Sequence, residues 1–330
     1  MALRGGIDLG GTKILSVVVD DDHTILGRDR RLTPASKGPA AVAEHMAASL
    51  LAAAQSAGIR PDLLSGVGVG SPGVVDAPAG TVANADNFVG WREPFPIAER
   101  LGGALGAPVY LSNDVDVAVE GEARLGAGRD LASFLGIWWG TGVGGGLILQ
   151  RERWTGRGSA GEFGHMVVRR NGARCPCGRR GCIEAYAGRG AMEARARKLV
   201  KKGEDTDLFK IMKKRDVDRL SSGVWSRALG KGDPLAVKLI DRAVAALGAG
   251  AASVMNLLDL EGIVIGGGLG TRLGDPYAGR IAAAMKPHLF NTARHPIVRV
   301  SELGDDAGAV GATLIAEPRS DATNRIAVAR

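Results

Sequence analysis

Three cysteines, Cys175, Cys177 and Cys182, and a histidine, His165, lie within residues 161–184, and they are all the cysteines the chain has. Three thiols and one imidazole make a Cys3His set, enough to close a tetrahedral zinc site. Pro176, Gly178 and Gly181 stand between the thiols and allow the tight turns that let neighbouring sulfurs converge. A disulfide would use two thiols and leave the third over. With all four positions filled by protein, the expected zinc is structural, since no position stays open for water. Two carboxylates, Glu162 and Glu184, flank the set.

A second group of residues could handle phosphate. Asp8-Leu9-Gly10-Gly11-Thr12-Lys13 ends a strand-like run in a glycine turn. Its backbone N–H groups can approach a phosphate without a Cβ in the way. Thr12 adds a hydroxyl, Lys13 a charge, and Asp8 is placed to hold a hydrated Mg²⁺. The same residues would also serve as a plain hairpin, and both readings stand. The pattern returns at Gly140-Thr141-Gly142-Val143-Gly144-Gly145-Gly146, and a third glycine turn is expected at Gly266-Gly267-Gly268. Asp114 closes Ser112-Asn113-Asp114, between a strand and a helix-period stretch. It is either a helix cap or a base kept ionised by the helix N-terminus.

The elements that must position these residues read in order. Strands are expected at 5–9, 14–19 and 24–32, a meander, then a helix from Pro39 to Ala57 and a buried strand over 66–70. Val109–Leu111 is a short strand before the Asp114 helix. Ala132–Trp139 and Leu147–Leu149 bracket the second glycine turn. Helices follow at 191–202 and from Asp233-Pro234 through Leu258, with apolar residues at three- and four-residue steps. A strand at 263–265, a helix at 276–286, a strand at 298–301 and a helix at 307–316 complete the chain. Strand, glycine turn and strand occur twice, which suggests two related halves facing each other across a cleft. A strand rather than a helix follows the G-x-G of the second turn, so the dinucleotide-binding fingerprint fails, and no Walker A sequence exists.

With 330 residues the chain is long enough for two domains. Its 50 glycines cluster in short loops without a fixed period, excluding collagen-like and low-complexity readings. The opening MALRGGIDLGG leads into a strand with no secretory signal, so a reducing cytoplasm is expected. No apolar stretch is long enough to span a bilayer, and no membrane partner is expected. The net charge of +7 comes with sparse aromatics and no nucleic-acid motif. The arginines of the cysteine loop are read as a solvated surface, with steering of an anionic phosphate donor as the alternative.

In their order along nearly the whole chain, these motifs resemble the ROK family of repressors and sugar kinases, within the actin-like superfamily. The residues that carry the resemblance are Asp8 to Lys13, Ser71-Pro72-Gly73, Asn87 to Trp91, Asn113-Asp114 with Gly121-Glu122, Gly140 to Gly146, Gly161 to His165, the cysteine loop through Glu184, and Gly266 to Gly268. The resemblance implies two actin-like (ribonuclease H-like) α/β domains with mixed sheets around an interdomain cleft, plus a zinc-binding loop. Residues 1–113, joined by a C-terminal helix at 306–330, would form the small domain. Residues 114–305 would form the large one, with the zinc loop at 161–184. It implies ATP-dependent phosphorylation of a hexose at its 6-hydroxyl, glucose foremost, with Asp114 as general base.

Gly73, Asn87, Asn113, Glu162, His165 and Glu184 would bind the sugar, His165 also being a zinc ligand with Cys175, Cys177 and Cys182. Asp8, Gly10, Gly11, Thr12, Lys13, Thr141, Gly142, Gly267 and Gly268 would bind the Mg-ATP. The family also implies a homodimer or dimer of dimers. An N-acetylhexosamine kinase or fructokinase needs only pocket changes, and polyphosphate is an alternative donor. A sugar-responsive repressor would carry a DNA-binding domain before Asp8, where seven residues stand, so no nucleic acid is expected. Three features depart from the family pattern. They are Trp138-Trp139 in place of smaller apolar residues, Asp116 near the base, and Gly188-Arg189-Gly190 where Ser-Gly-Thr is commoner.

Overall fold

Apolar runs rich in Val, Ile and Leu, separated by glycine turns, build the first sheet of the computed structural model, which describes residues 2–85 and 88–316. Strands β1 (Leu3–Leu9), β2 (Lys13–Val19) and β3 (Ile25–Leu32) form the expected antiparallel meander. Helix α1 (Gly38–Ser56) starts with a proline in its first turn and buries Val42, Met46, Leu50, Ala53 and Ala54. Next come β4 (Leu64–Ser71), the small hairpin β5 (Val74–Asp76) and β6 (Thr81–Ala83), helix α2 (Ile97–Leu105), β7 (Val109–Asn113) and α3 (Asp114–Leu125). The sheet order is β3-β2-β1-β4-β7, with β1, β4 and β7 parallel.

The second sheet repeats that plan. Strands β8 (Phe134–Trp139), β9 (Val143–Leu149) and β10 (Glu152–Trp154) form a meander. After the cysteine loop come α4 (Glu184–Ala187), α5 (Arg189–Val200), α6 (Leu208–Lys214), α7 (Ser222–Gly230) and α8 (Pro234–Leu258). Strand β11 (Gly262–Gly266), helix α9 (Gly267–Met285) and β12 (Ile297–Val300) follow. The order is β10-β9-β8-β11-β12, with β8, β11 and β12 parallel. Helix α10 (Ala307–Ile315) then packs on β1 and β4. A Cβ at Gly68 would lie 1.7 Å from the Ala312 carbonyl oxygen, so only glycine lets α10 lie that close to the sheet.

The chain divides into two units, Met1–Gly121 with Asp306–Arg330 and Glu122–Asp305, each with its own apolar core. The boundary falls inside α3, so the first unit takes in Asp114 and most of that helix rather than stopping at residue 113. Of the C-terminal segment expected at 306–330, residues 317–330 lie outside the described residues. Glu122, fully buried, opens the second unit with four hydrogen bonds. One carboxylate oxygen accepts from the Ser301 hydroxyl (2.5 Å) and the Leu303 N–H (2.9 Å), the other from the Ala127 (2.7 Å) and Glu302 (3.1 Å) N–H groups. A buried carboxylate so satisfied fixes the end of β12 against the turn after α3.

Three expectations need correction. Gly144, Gly145 and Gly146 belong to β9, paired with Trp138, Ile137 and Gly136, and only Gly140-Thr141-Gly142 turns. At Gly145, Phe163 and the Gly161 carbonyl occupy the space a side chain would need. The third glycine turn is a direct passage from β11 into α9, made in one residue by Gly267 at φ +78. The helix expected at 276–286 is the second part of α9, which kinks at Gly274 two residues before Pro276. In α8 the Asp233 carboxylate caps the start, but Leu258 is 38% exposed, so the apolar stripe ends one turn early.

Candidate functional site

In the first unit, the parallel strands β1, β4 and β7 bring Asp8, Ser71 and Asn113 to their carboxyl ends, where open α/β sheets bind ligands. The Gly10–Lys13 turn is bracketed by the Gly10 N–H donating to the Lys13 carbonyl (2.9 Å) and the Thr33 hydroxyl donating to the Gly10 carbonyl (2.7 Å). Gly11 and Thr12 are exposed at its tip. Asp8 is half-buried against the first turn of α10, where a side chain at Gly308 would collide with its carboxylate. Gly73 turns the chain after β4 at φ +91. Asn87 lies outside the described residues.

Asn113, not Asp114, caps α3. Its Oδ1 accepts the N–H groups of Val115 (2.9 Å) and Asp116 (3.2 Å). Asp114 is the first residue of α3, its Oδ1 accepting the Val115 N–H at 3.0 Å. Part of the residue is open to solvent, yet burial of the carboxyl pushes its pKa up to about 6. Hydrogen bonds from the backbone of Val115 and Asp114 and from Asn113 pull it down, and the Asp116 charge adds a smaller push upward. Desolvation thus outweighs the helix N-terminus, which the sequence suggested would keep the group strongly ionised. A carboxyl at about 6 is still mostly ionised at pH 7 and well matched to taking a proton.

The second unit carries the cysteine loop, pinned by Phe163 and Ile183 in that unit's core. Bridges between Val167 and Cys182 and between Arg174 and Arg180 fold it back on itself. The turn Cys175–Gly178 closes with a 3.0 Å bond from the Gly178 N–H to the Cys175 carbonyl. The ligating atoms of His165, Cys175, Cys177 and Cys182 all lie within 4.8 Å of one another. The Cys177 and Cys182 sulfurs are 3.8 Å apart, as are the Cys175 sulfur and His165 Nδ1. A tetrahedral ion with metal–sulfur bonds of ~2.3 Å needs sulfur pairs about 3.8 Å apart, so the set fits zinc. Burial pushes the Cys175 thiol up to about 12. Cys177, against its own burial, is drawn down to about 6 by the Arg179 N–H and guanidinium.

With Nδ1 toward the sulfurs, His165 turns Nε2 to Glu162, 3.8 Å from an exposed carboxylate oxygen. Glu184 reaches both parts of the unit: Oε1 lies 3.8 Å from the Cys175 sulfur, and Oε2 accepts the Val143 N–H at 2.9 Å. A Cβ at Gly142 would sit 2.3 Å from that Oε2, so the turn and the carboxylate require each other. Gly140 lies next to Gly268 at the start of α9, and Gly268 next to the Ser222 hydroxyl at the start of α7. Thr141, Gly142, Gly267 and Gly268 are therefore gathered in one place, as are Glu162, His165, Glu184 and the cysteines.

The sequence model of the ROK family matches residues 4–319. The chain belongs to the ROK family. Among its ROK relatives, a glucokinase of Thermotoga maritima is 33% identical over 321 residues, covering 95% of this chain and 97% of the relative. An N-acetylgalactosamine kinase of Shewanella sp. is 31% identical over 94% of this chain and 95% of its own. The crystal structure of a ROK family glucokinase from Streptomyces griseus in complex with glucose and AMPPNP is 32% identical, with a TM-score of 0.81 and coverage of 95% and 99%. No helix among the described residues is long and apolar enough to cross a membrane.

Of the ROK departures, Trp138-Trp139 packs inward. Trp139 is fully buried and its Nε1 donates to the Ala187 carbonyl at 2.7 Å, while the Trp138 ring fills the space beside Gly266. Sequence reasoning missed Arg189, whose Nη2 donates to the Thr141 hydroxyl at 2.7 Å. The substitution was visible, but its partner lies 48 positions away and no local period reports it.

Proposed function

We propose that the chain transfers the γ-phosphoryl group of ATP to the 6-hydroxyl of a hexose, glucose first among them. The observation that carries the reading is the Asp114 carboxyl, desolvated to about 6 beside the carboxyl ends of parallel strands. The glucokinases among the ROK relatives support glucose.

A sugar hydroxyl is a poor nucleophile, and Asp114 takes its proton as it attacks, worth about 10²–10⁴ in rate. Asn113 spends Oδ1 on the helix, and its amide NH₂, which also steadies the Asp114 carboxylate, has a second hydrogen for a sugar hydroxyl. Asn87, Glu162, His165 and Glu184 accept or donate to the others, with Gly73 behind the ring. The Gly10-Gly11-Thr12 turn, through the amides of Gly11 and Thr12 and with Lys13, and the Thr141-Gly142 turn receive the phosphates, and Gly267-Gly268 lies against adenosine. Asp8 would hold Mg²⁺, which neutralises charge on the phosphates when bound; one carboxylate with phosphate oxygens suits that ion. Zinc on His165, Cys175, Cys177 and Cys182 would cross-link the loop that carries Glu162 and Glu184 and do no chemistry on the sugar.

An N-acetylhexosamine is the second reading, favoured by the N-acetylgalactosamine kinase among the relatives. A coupled assay with ATP over glucose, N-acetylmannosamine, N-acetylgalactosamine and fructose tests the choice. The highest kcat/KM is expected on glucose, and turnover confined to an N-acetylated sugar would move the assignment to the second reading.

A further inference from the structure

Arg189 sits where a structural arginine would be expected to pair with a carboxylate, and no carboxylate among the described residues forms an ion pair with it. Its backbone N–H donates to the Gly140 carbonyl (3.2 Å), the following Gly190 N–H donates to the Thr141 carbonyl (3.1 Å), and its Nη2 holds the Thr141 hydroxyl. The whole residue is thus docked on the Gly140–Gly142 turn. Its buried Nε has no hydrogen-bond partner among the described residues, and no carboxylate is ion-paired to it there. The near carboxylate, Glu193, is committed elsewhere: Oε1 accepts from Arg197 and Oε2 from the Leu220 N–H at 2.9 Å. The other charge that acts on Arg189 is the like-charged Arg219. Burial, the largest influence, draws the guanidinium below its usual range; the Glu193 charge opposes it, and Arg219 adds a smaller push downward. A partly desolvated guanidinium beside a second cation, with an open donor and a nearby carboxylate already bonded to other groups, is costly unless an anion joins it.

The surroundings say which anion. The start of α5 with Arg189, the Thr141 hydroxyl and the glycine turn converge on one spot, and the starts of α7 and α9 are gathered beside it. Helix N-termini and turn amides favour a phosphate, and a guanidinium fork grips two of its oxygens at once. We propose that Arg189 is a ligand of the donor's phosphate chain, binding it with the Thr141 hydroxyl at the Gly140–Gly142 turn. The proposal rests on the phosphotransferase reading above and deepens it. The chemistry recognised is a chain of linked phosphates, whether it ends in a nucleoside or not.

The test is calorimetric titration of the full chain, wild type, Arg189→Met and Arg189→Lys, with adenosine, Mg-AMPPNP, tripolyphosphate and glucose. Arg189→Met should weaken AMPPNP and tripolyphosphate about tenfold or more and leave adenosine and glucose within about twofold. Arg189→Lys, a point charge without the fork, should recover part of the loss and serves if the Met variant does not fold. Equal losses for adenosine and AMPPNP would overturn the proposal, because Arg189 would then only shape the turn. So would AMPPNP weakened with tripolyphosphate unchanged, or no change at all in variants whose wild type binds both. A wild-type chain that binds neither AMPPNP nor tripolyphosphate would overturn the phosphotransferase reading along with it. Tripolyphosphate bound as tightly as AMPPNP would assign the recognition to the phosphate chain rather than the nucleoside.

Discussion

The two units share one strand order and direction, and β1 and β8 both run into a glycine turn with a threonine, yet the side chains placed around those strand ends differ. The first places carboxylates there: Asp8 near the end of β1 and Asp114 just after β7. The second, at the corresponding ends of β8 and β11, places glycines, a threonine hydroxyl and Arg189. Its own strand-end carboxylate, Glu122 beside β12, is saturated by four hydrogen bonds and is structural. One sheet plan thus supports two kinds of work, because the strand ends fix positions and leave the side chains free to differ. On the proposed reading, the proton acceptor comes from the first unit, each unit contributes a phosphate-binding glycine turn, and the Cys3His set stands in the second.

The largest break in that comparison should come from Asp114→Asn, expected to cut kcat at least ~100-fold while the KM values for sugar and ATP change little. Stability should not suffer. The folded pKa of Asp114 is raised from 3.8 to about 6, so its contribution is greatest below 3.8, declines as pH rises to about 6, and stays reduced above. At pH 7 the asparagine variant should melt no lower than wild type, read by thermal scans at both pH 4 and pH 7.

In the second unit, Cys177→Ser should reduce bound zinc from one per chain and lower the melting temperature by roughly 5 °C or more. Metal analysis of protein prepared without chelator checks it, and zinc-free wild type with full activity would contradict it. Next in size, Gly142→Ala forces its Cβ onto Glu184 Oε2, and the ATP KM should rise about fivefold or more. A rise in the sugar KM alone would mean that Glu184 serves only the sugar. The smallest effect is expected from Asp116→Asn. Losing that negative neighbour lets Asp114 ionise more easily, so the acid limb of activity should move to lower pH, and a limb moved upward would contradict it.

Much of this was legible in the sequence. The meanders, α1, α8 and the Asp233 cap follow from alternation, helical period and a cap residue just before a proline. The Cys3His set was legible because metal geometry constrains spacing within one loop. The β5–β6 hairpin and α2 were not, because three-residue strands and a nine-residue helix leave little period to count. The glycines of β9 misled because they read as a turn, whereas at Gly145 the loop carrying Gly161 and Phe163 had taken the side-chain space. Asp114 was found, but the sign of its pKa shift was not: helix N-termini are written locally, and desolvation is set by packing from distant residues. Arg189 shows the same limit, its meaning resting on a threonine far back in the chain and on a glutamate already taken.

The claim that Asp114 is the proton acceptor is tested most directly by the pH dependence of kcat/KM for glucose, measured for wild type and for Asp114→Asn. The wild-type curve should fall about tenfold per pH unit below about 6, and the residual rate of the variant should be flat across the same range. An unchanged acid limb in the asparagine variant would assign the titrating group to another residue and contradict the account.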